Sequence, residues 1–172
     1  MARLLAYVVA GAAVFFGSFF ITLWLTAPAV VPMPADGRTG LQRFETLRIS
    51  SYSEISDGAY RAGLQESQQM RGNVDGINHV NDHEASIGGW LADPHGSGTP
   101  LHVLVFVGGP LVADVQTKGE RPDVTAAVQL GFGAEKNVAF SFKFACTPGV
   151  QPVVVGVSDK GQYIPLPTKK CP

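Results

Sequence analysis

Cysteine is nearly absent: the 172-residue chain holds two, too few for a disulfide-framework miniprotein or a four-thiolate zinc site. An excess of one charge sign is also lacking. With 13 Lys and Arg against 14 Asp and Glu, the formal net charge is −1. The basic excess or clustered basic face of a nucleic-acid binder is therefore missing. No glycine-rich phosphate loop, internal repeat or low-complexity tract occurs. Between Leu4 and Ala35 there is no charged residue at all, so much of the hydrophobic content sits at one end. The remainder has the composition of one ordinary globular domain plus a linker.

That uncharged end is readable as a membrane segment. Leu4 to Ala27 is interrupted by only three clearly polar residues, Ser18, Thr22 and Thr26. As a helix it would span roughly 36 Å, enough for a bilayer core. Tyr7 and Trp24 lie near its two ends, where amphipathic aromatics favour the interface. Pro28, Pro32 and Pro34 then end the helix. A cleaved signal peptide with an Ala27-Pro28-Ala29 site is the alternative, but signal cores run about 7–15 residues. Residues 1–27 are thus read as a retained anchor. Ala6, Ala10, Ala13 and Gly17 share one face, a spacing that lets a second helix approach closely in lipid. Arg3 lies on one side, and Arg38, Arg43 and Arg48 on the other, so charge bias does not orient the segment.

Residues 28–71 read as a partly helical linker or stalk. Leu41, Phe44 and Leu47 predict one short amphipathic helix, and Asp57 is placed to cap a second through Ala59, Tyr60, Leu64 and Met70. From residue 72 to 172 the pattern changes to short extended runs between turn residues. Strands are predicted over Asn73–Val80, Ala85–Ala92, Leu101–Val107, Leu111–Gln116, Asn137–Cys146 and Val150–Val157. A short edge strand, Gln162–Ile164, is expected to end at Pro165. Gly108-Gly109 supplies a tight hairpin, and Pro122 suits the first position of a helical turn. Val138, Phe140, Phe142 and Phe144 alternate with Ser141 and Lys143. About seven strands with such one-face alternation predict an all-β, antiparallel two-sheet sandwich, with an open barrel as the alternative.

Several of these residues form an ordered set: Gly89-Trp90-Leu91-Ala92-Asp93-Pro94, a valine-rich strand ending in Gly108-Gly109, Arg121-Pro122-Asp123-Val124, Gly131-Phe132, and Pro148-Gly149 before a second valine-rich strand. This order resembles a module of many bacterial envelope and secreted proteins, with a GW-x-x-DP turn, an RPDV turn and a PG turn. The resemblance covers about residues 72–166. It implies an immunoglobulin-like sandwich of the kind that often accompanies catalytic domains as an accessory unit, and it brings no catalytic residues. The chain departs from the pattern in having Gly108-Gly109 where Asp-Gly is commoner, and in its cysteine pair.

Trp90 is expected to anchor the core, with sugar stacking by Trp90, Phe132 or Tyr163 as the functional alternative. Asp93 is placed to bond its own downstream backbone in a turn. Asp93 or Asp123 is expected to pair with the planar fork of Arg121. His79 and His83, beside Asp82 and Glu84, have helical metal-ligand spacing but lie in a segment that reads as strand and turn. Asn73, Asp75, Asn78, Asn81 and Asp82 do not match a calcium loop, and His95-Gly96-Ser97-Gly98 lacks the strand-to-helix context of a nucleophile elbow. Cys146 and Cys171, with 24 residues between them, are expected to form a disulfide in an oxidising compartment.

These readings combine into one expectation. The chain is a non-enzymatic, cofactor-free, membrane-anchored protein whose β-sandwich lies outside the cytoplasm. It acts by contact with another envelope or membrane protein. A cell-envelope glycan-binding module is the alternative, and an envelope hydrolase using His79 and His83 the third reading. Nucleic acid is not an expected partner.

Overall fold

Two stretches of apolar residues without alternation, residues 103–106 and Val153–Val157, dominate the architecture, because a strand without alternation needs cover on both faces. The computed structural model describes residues 38–96, 98–130 and 134–172. Among them run helices α1 (Gly40–Glu45), α2 (Ile55–Ala62) and α3 (Pro122–Val128). The strands are β1 (Gln65–Glu66), β2 (Arg71–Asn81), β3 (Glu84–Ala92), β4 (His102–Phe106), β5 (Leu111–Gln116), β6 (Ala139–Ala145), β7 (Val153–Val157) and β8 (Gln162–Leu166). They form a five-stranded sheet, β1-β8-β7-β4-β5, and a three-stranded sheet, β2-β3-β6. All pairings within these sheets are antiparallel except that of β1 with β8. The protein is mainly β, in two sheets.

The sheets share a core. Ala85, Ile87, Leu91, Phe140 and Phe144 from the smaller sheet meet Val103, Val105, Val154, Ile164 and Leu166 from the larger. Phe142 lies between its neighbours, tilted against Phe140 at 6.2 Å and edge-on to Phe144 at 6.4 Å, so the predicted phenylalanine row holds. Gly156 of β7 leaves the space that Leu91 fills, for a Cβ there would lie 2.7 Å from the leucine methyls.

The other face of the larger sheet carries a second core. Leu104, Phe106, Val153, Val155, Val157 and Tyr163 pack against Phe44, Ile49, Ile55, Ala59, Ala62 and Leu64. The stalk expected over residues 28–71 therefore gives way, from residue 40 onward, to a helical layer on the sheet. The reason is chemical: β4 and β7 would otherwise leave a row of large apolar side chains in water. Helix α1 starts at a capping box in which the Thr39 hydroxyl accepts from the Gln42 amide and the Gln42 side chain accepts from the Thr39 amide. Phe44 meets Phe106 edge-on at 5.7 Å. Helix α2 begins at Ile55, so Asp57 lies in its first turn and does not cap it; Gly63, at φ +79°, ends it. Residues 48–50 run beside the β4–β5 hairpin, where the Ile49 amide donates to the Gly109 carbonyl at 2.7 Å.

Strand β8 continues through Pro165 to Leu166, beyond its expected end. Its outer neighbour β1 reaches only to Glu66, opposite Tyr163, so Pro165 sits where no ladder donor is missed. The segment Leu4–Ala27, including Ala6, Ala10, Ala13 and Gly17, lies outside the described residues. Among the described residues no helix is long and apolar enough to cross a membrane.

Candidate functional site

The RPDV turn builds a charge hub on the outer face of the smaller sheet. Pro122 occupies the first turn of α3, as its fixed φ favours, and leaves Arg121 just before the helix. Its guanidinium grips Asp123 with two bonds, Nε to Oδ1 at 2.9 Å and Nη2 to Oδ2 at 2.7 Å. Nη1 reaches Asp75 Oδ2 at 2.7 Å. Asp75 sits in a bulge, because the pairing of β2 with β3 slips one residue between Val74 and Gly76. A bulge re-aims a side chain that regular pleating would direct elsewhere. The Asn73 side-chain Nδ2 donates to the other Asp75 oxygen at 3.2 Å. Arg121 thus selects Asp123 and Asp75, and Asp93 is not its partner. The Arg121 bonds hold the Asp123 carboxyl down at about 2, and Asp123 and then Asp75 raise the affinity of Arg121 for its proton.

The hub pins α3 over Trp90. The indole lies on the outer face of β3, half-buried among Val124, Val128, Leu130, Ala92 and Val138. Trp90 is therefore an anchor for a satellite cluster under α3, and not for the inter-sheet core. Its neighbour Gly89 has no room for a side chain: a Cβ would stand 2.2 Å from the Asn73 carbonyl oxygen and 2.6 Å from the Phe140 ring. The Gly-Trp pair of the motif is in this way a statement about strand packing. Tyr163 is only 4% exposed in the second core, which removes it as a stacking surface. Phe132 lies outside the described residues.

Asp93 closes the turn after β3, as its position before Pro94 predicts. Its Oδ1 accepts from the His95 amide at 3.1 Å, and its carbonyl accepts from the Gly96 amide at 2.9 Å. Lys160 stands 3.7 Å from Oδ2. Asp93, Gly96 and Lys160, together with Asn137 and Asp159, line a recess of about 20 Å³, room for a single water.

His79 and His83 are not brought together as ligands. His79 lies in β2 opposite Ala85, and His83 lies in the turn that follows, where its amide bonds the Asn81 side chain. Asp82 and His83 instead border an open cleft of about 490 Å³ with Val107, Val112, Cys146 and Pro148. Cys146 and Cys171 are joined in a disulfide, with Cα atoms 6.0 Å apart, as expected. The Cys171 amide also donates to the Val150 carbonyl at 2.8 Å, so the segment after β8 is tied to the two-sheet body by two kinds of bond.

Ligand-type side chains gather elsewhere. Glu45 at the end of α1, His102 on β4 and Asp114 on β5 bring one donor atom each within 4.8 Å of one another. His102 Nδ1 is 2.9 Å from Asp114 Oδ1, and Nε2 is 3.2 Å from the Gln116 amide nitrogen. Burial and then the adjacent Asp114 carboxylate push the Glu45 carboxyl up, against a weaker opposite pull from His102. Sequence spacing concealed this group because its members come from three separate elements. The signal available was register: the β4–β5 pairing sets His102 opposite Gln116 and Leu104 opposite Asp114, all on the helix-covered face. No protein-family model, curated protein or solved structure matches the chain.

Proposed function

We propose that the protein is a membrane-anchored, extracytoplasmic β-domain that acts by contact, as a non-catalytic accessory subunit of an envelope or membrane complex. The observation that carries this reading is the Cys146–Cys171 disulfide in a chain that also carries the bilayer-length uncharged segment Leu4–Ala27. A cross-link of that kind persists in an oxidising compartment, and the apolar segment is long enough to tether the domain there. The motif residues support the contact role. Arg121, Asp123 and Asp75 satisfy one another, Trp90 is spent on holding α3, and Asp93 closes a turn. Such groups build a surface and leave none of themselves poised as nucleophile or base. The immunoglobulin-like module resembled by residues 72–166 is an accessory unit, and this reading extends that role to the chain.

Purification of the full chain from membranes in mild detergent tests the proposal. A membrane protein retained in stoichiometric amount, with no protein retained by an Arg121→Ala, Trp90→Ala variant, supports it. Retention on peptidoglycan or polysaccharide without a protein partner overturns it in favour of glycan binding. Recovery of the full chain in the cytosolic fraction with two alkylatable thiols overturns both the location and the role.

A further inference from the structure

We propose that Glu45, His102 and Asp114 form a binding site for a divalent transition-metal ion, zinc in the first instance, which staples α1 to the exposed edge of the five-stranded sheet. One imidazole and two carboxylates are a donor set suited to zinc. The three donors already converge within 4.8 Å, from three different elements. A tetrahedral ion with ligand bonds of about 2.1 Å sets its donors roughly 3.4 Å apart. The shift needed is therefore well under the length of a side chain: Asp114 withdraws slightly from the imidazole and Glu45 closes in. The Glu45 and Asp114 carboxyl groups lie beside each other and beside the half-buried imidazole, and a dication among the three relieves the repulsion of two ionised carboxylates.

The fourth side of the imidazole is already furnished. When the ion takes the Nδ1 lone pair, the ring proton moves to Nε2, where Gln116 stands at 3.2 Å. Turning the Gln116 amide over presents its oxygen to that proton. The ring is then oriented by a hydrogen bond from behind, as metal-bound imidazoles usually are. Partial exposure of the Asp114 and His102 side chains, 31% and 21%, gives the ion a path in and leaves its fourth position to water. The site does not depend on the proposed contact role, since it would hold the helical layer to the sheet in any function.

The test uses the untagged full chain in mild detergent at neutral pH, stripped with chelator and titrated with zinc chloride. The expected result is about one ion per chain by calorimetry, a melting temperature raised by several degrees, and zinc-dependent shifts of the His102 imidazole proton resonances but not those of His79, His83 or His95. Glu45→Gln and His102→Gln each weaken binding by about tenfold or more, while the double variant His79→Gln, His83→Gln binds as wild type. Absence of binding overturns the proposal, as does unchanged affinity in both Glu45→Gln and His102→Gln, or loss of binding in the double variant. Should either single variant fail to fold, the His102 resonances of the wild-type chain decide: if they do not move with zinc, the site does not exist.

Discussion

At the scale of single residues, Arg121 shows how a short motif earns its composition. A lysine could satisfy Asp75 or Asp123, but only a planar fork bonds one carboxylate twice while a third nitrogen reaches the other. Arg121→Lys is therefore expected to lower the melting temperature, and Arg121→Ala to lower it further. The pH dependence follows from Asp123. Its carboxyl is held at about 2 against an ordinary 3.8, so its contribution is complete above about pH 4 and disappears as the pH falls toward 2. The urea midpoint of Asp123→Asn should thus lie below that of wild type at pH 6, and the gap should close between pH 4 and 2. A gap that is constant with pH would assign the effect to packing. Gly89 makes a separate prediction. With a carbonyl oxygen 2.2 Å from any added Cβ, Gly89→Ala forces strands β2 and β3 apart and should cost about 1–3 kcal/mol in denaturant unfolding.

Elements explain why the N-terminal part of the described chain is structural. Helices α1 and α2 are six and eight residues long, too short to persist alone in water. They exist because β4 and β7 offer Leu104, Phe106, Val153, Val155 and Val157 as a dry surface. Phe44 is fully buried at that contact, and Phe44→Ala is expected to cost about 3–5 kcal/mol, measured by urea unfolding. Tyr52 completes the seam from the intervening turn: its hydroxyl donates to the Leu166 carbonyl at 2.6 Å and accepts from the Val154 amide at 3.3 Å. Burial raises the affinity of that hydroxyl for its proton, which suits a group acting as donor. The Gly108-Gly109 hairpin belongs to the same seam. Gly109, at φ +115°, has Ser50 and Arg48 side chains 3.2 and 3.5 Å from the place of a Cβ. The second glycine of the turn thus makes room for the segment that leads from α1 to α2, whereas a Cβ at Gly108 would meet open space.

For the whole molecule, the disulfide matters most where the fold is otherwise open. The tail after β8 forms no strand, and its backbone contact with Val150, together with Cys146–Cys171, fixes it across the end of β6. Closing a loop of that length restricts the unfolded chain by about 3–3.5 kcal/mol. Cys171→Ser should lower stability by an amount of that order, and a reducing agent should bring wild type down to the same midpoint. Wild type that melts identically with and without reductant would show that the bridge adds nothing.

The positions of β2 to β8, the phenylalanine row, the Pro122 helix start, the Asp93 turn and the cysteine partnership were readable from the chain, because each rests on local period or local chemistry, whereas β1 lies where a helix through Leu64 and Met70 was expected. The helical layer was not, although the unbroken apolar runs of β4 and β7 called for something to cover them: periodicity reports that a face is buried and never by what. The partner of Arg121 on β2 was hidden for a related reason. Asp75 reaches it only through a bulge, and a one-residue slip leaves no mark in composition. Glu45, His102 and Asp114 meet because helix packing and strand register act together, and distance in space between such residues is set by the fold and by nothing nearer in sequence.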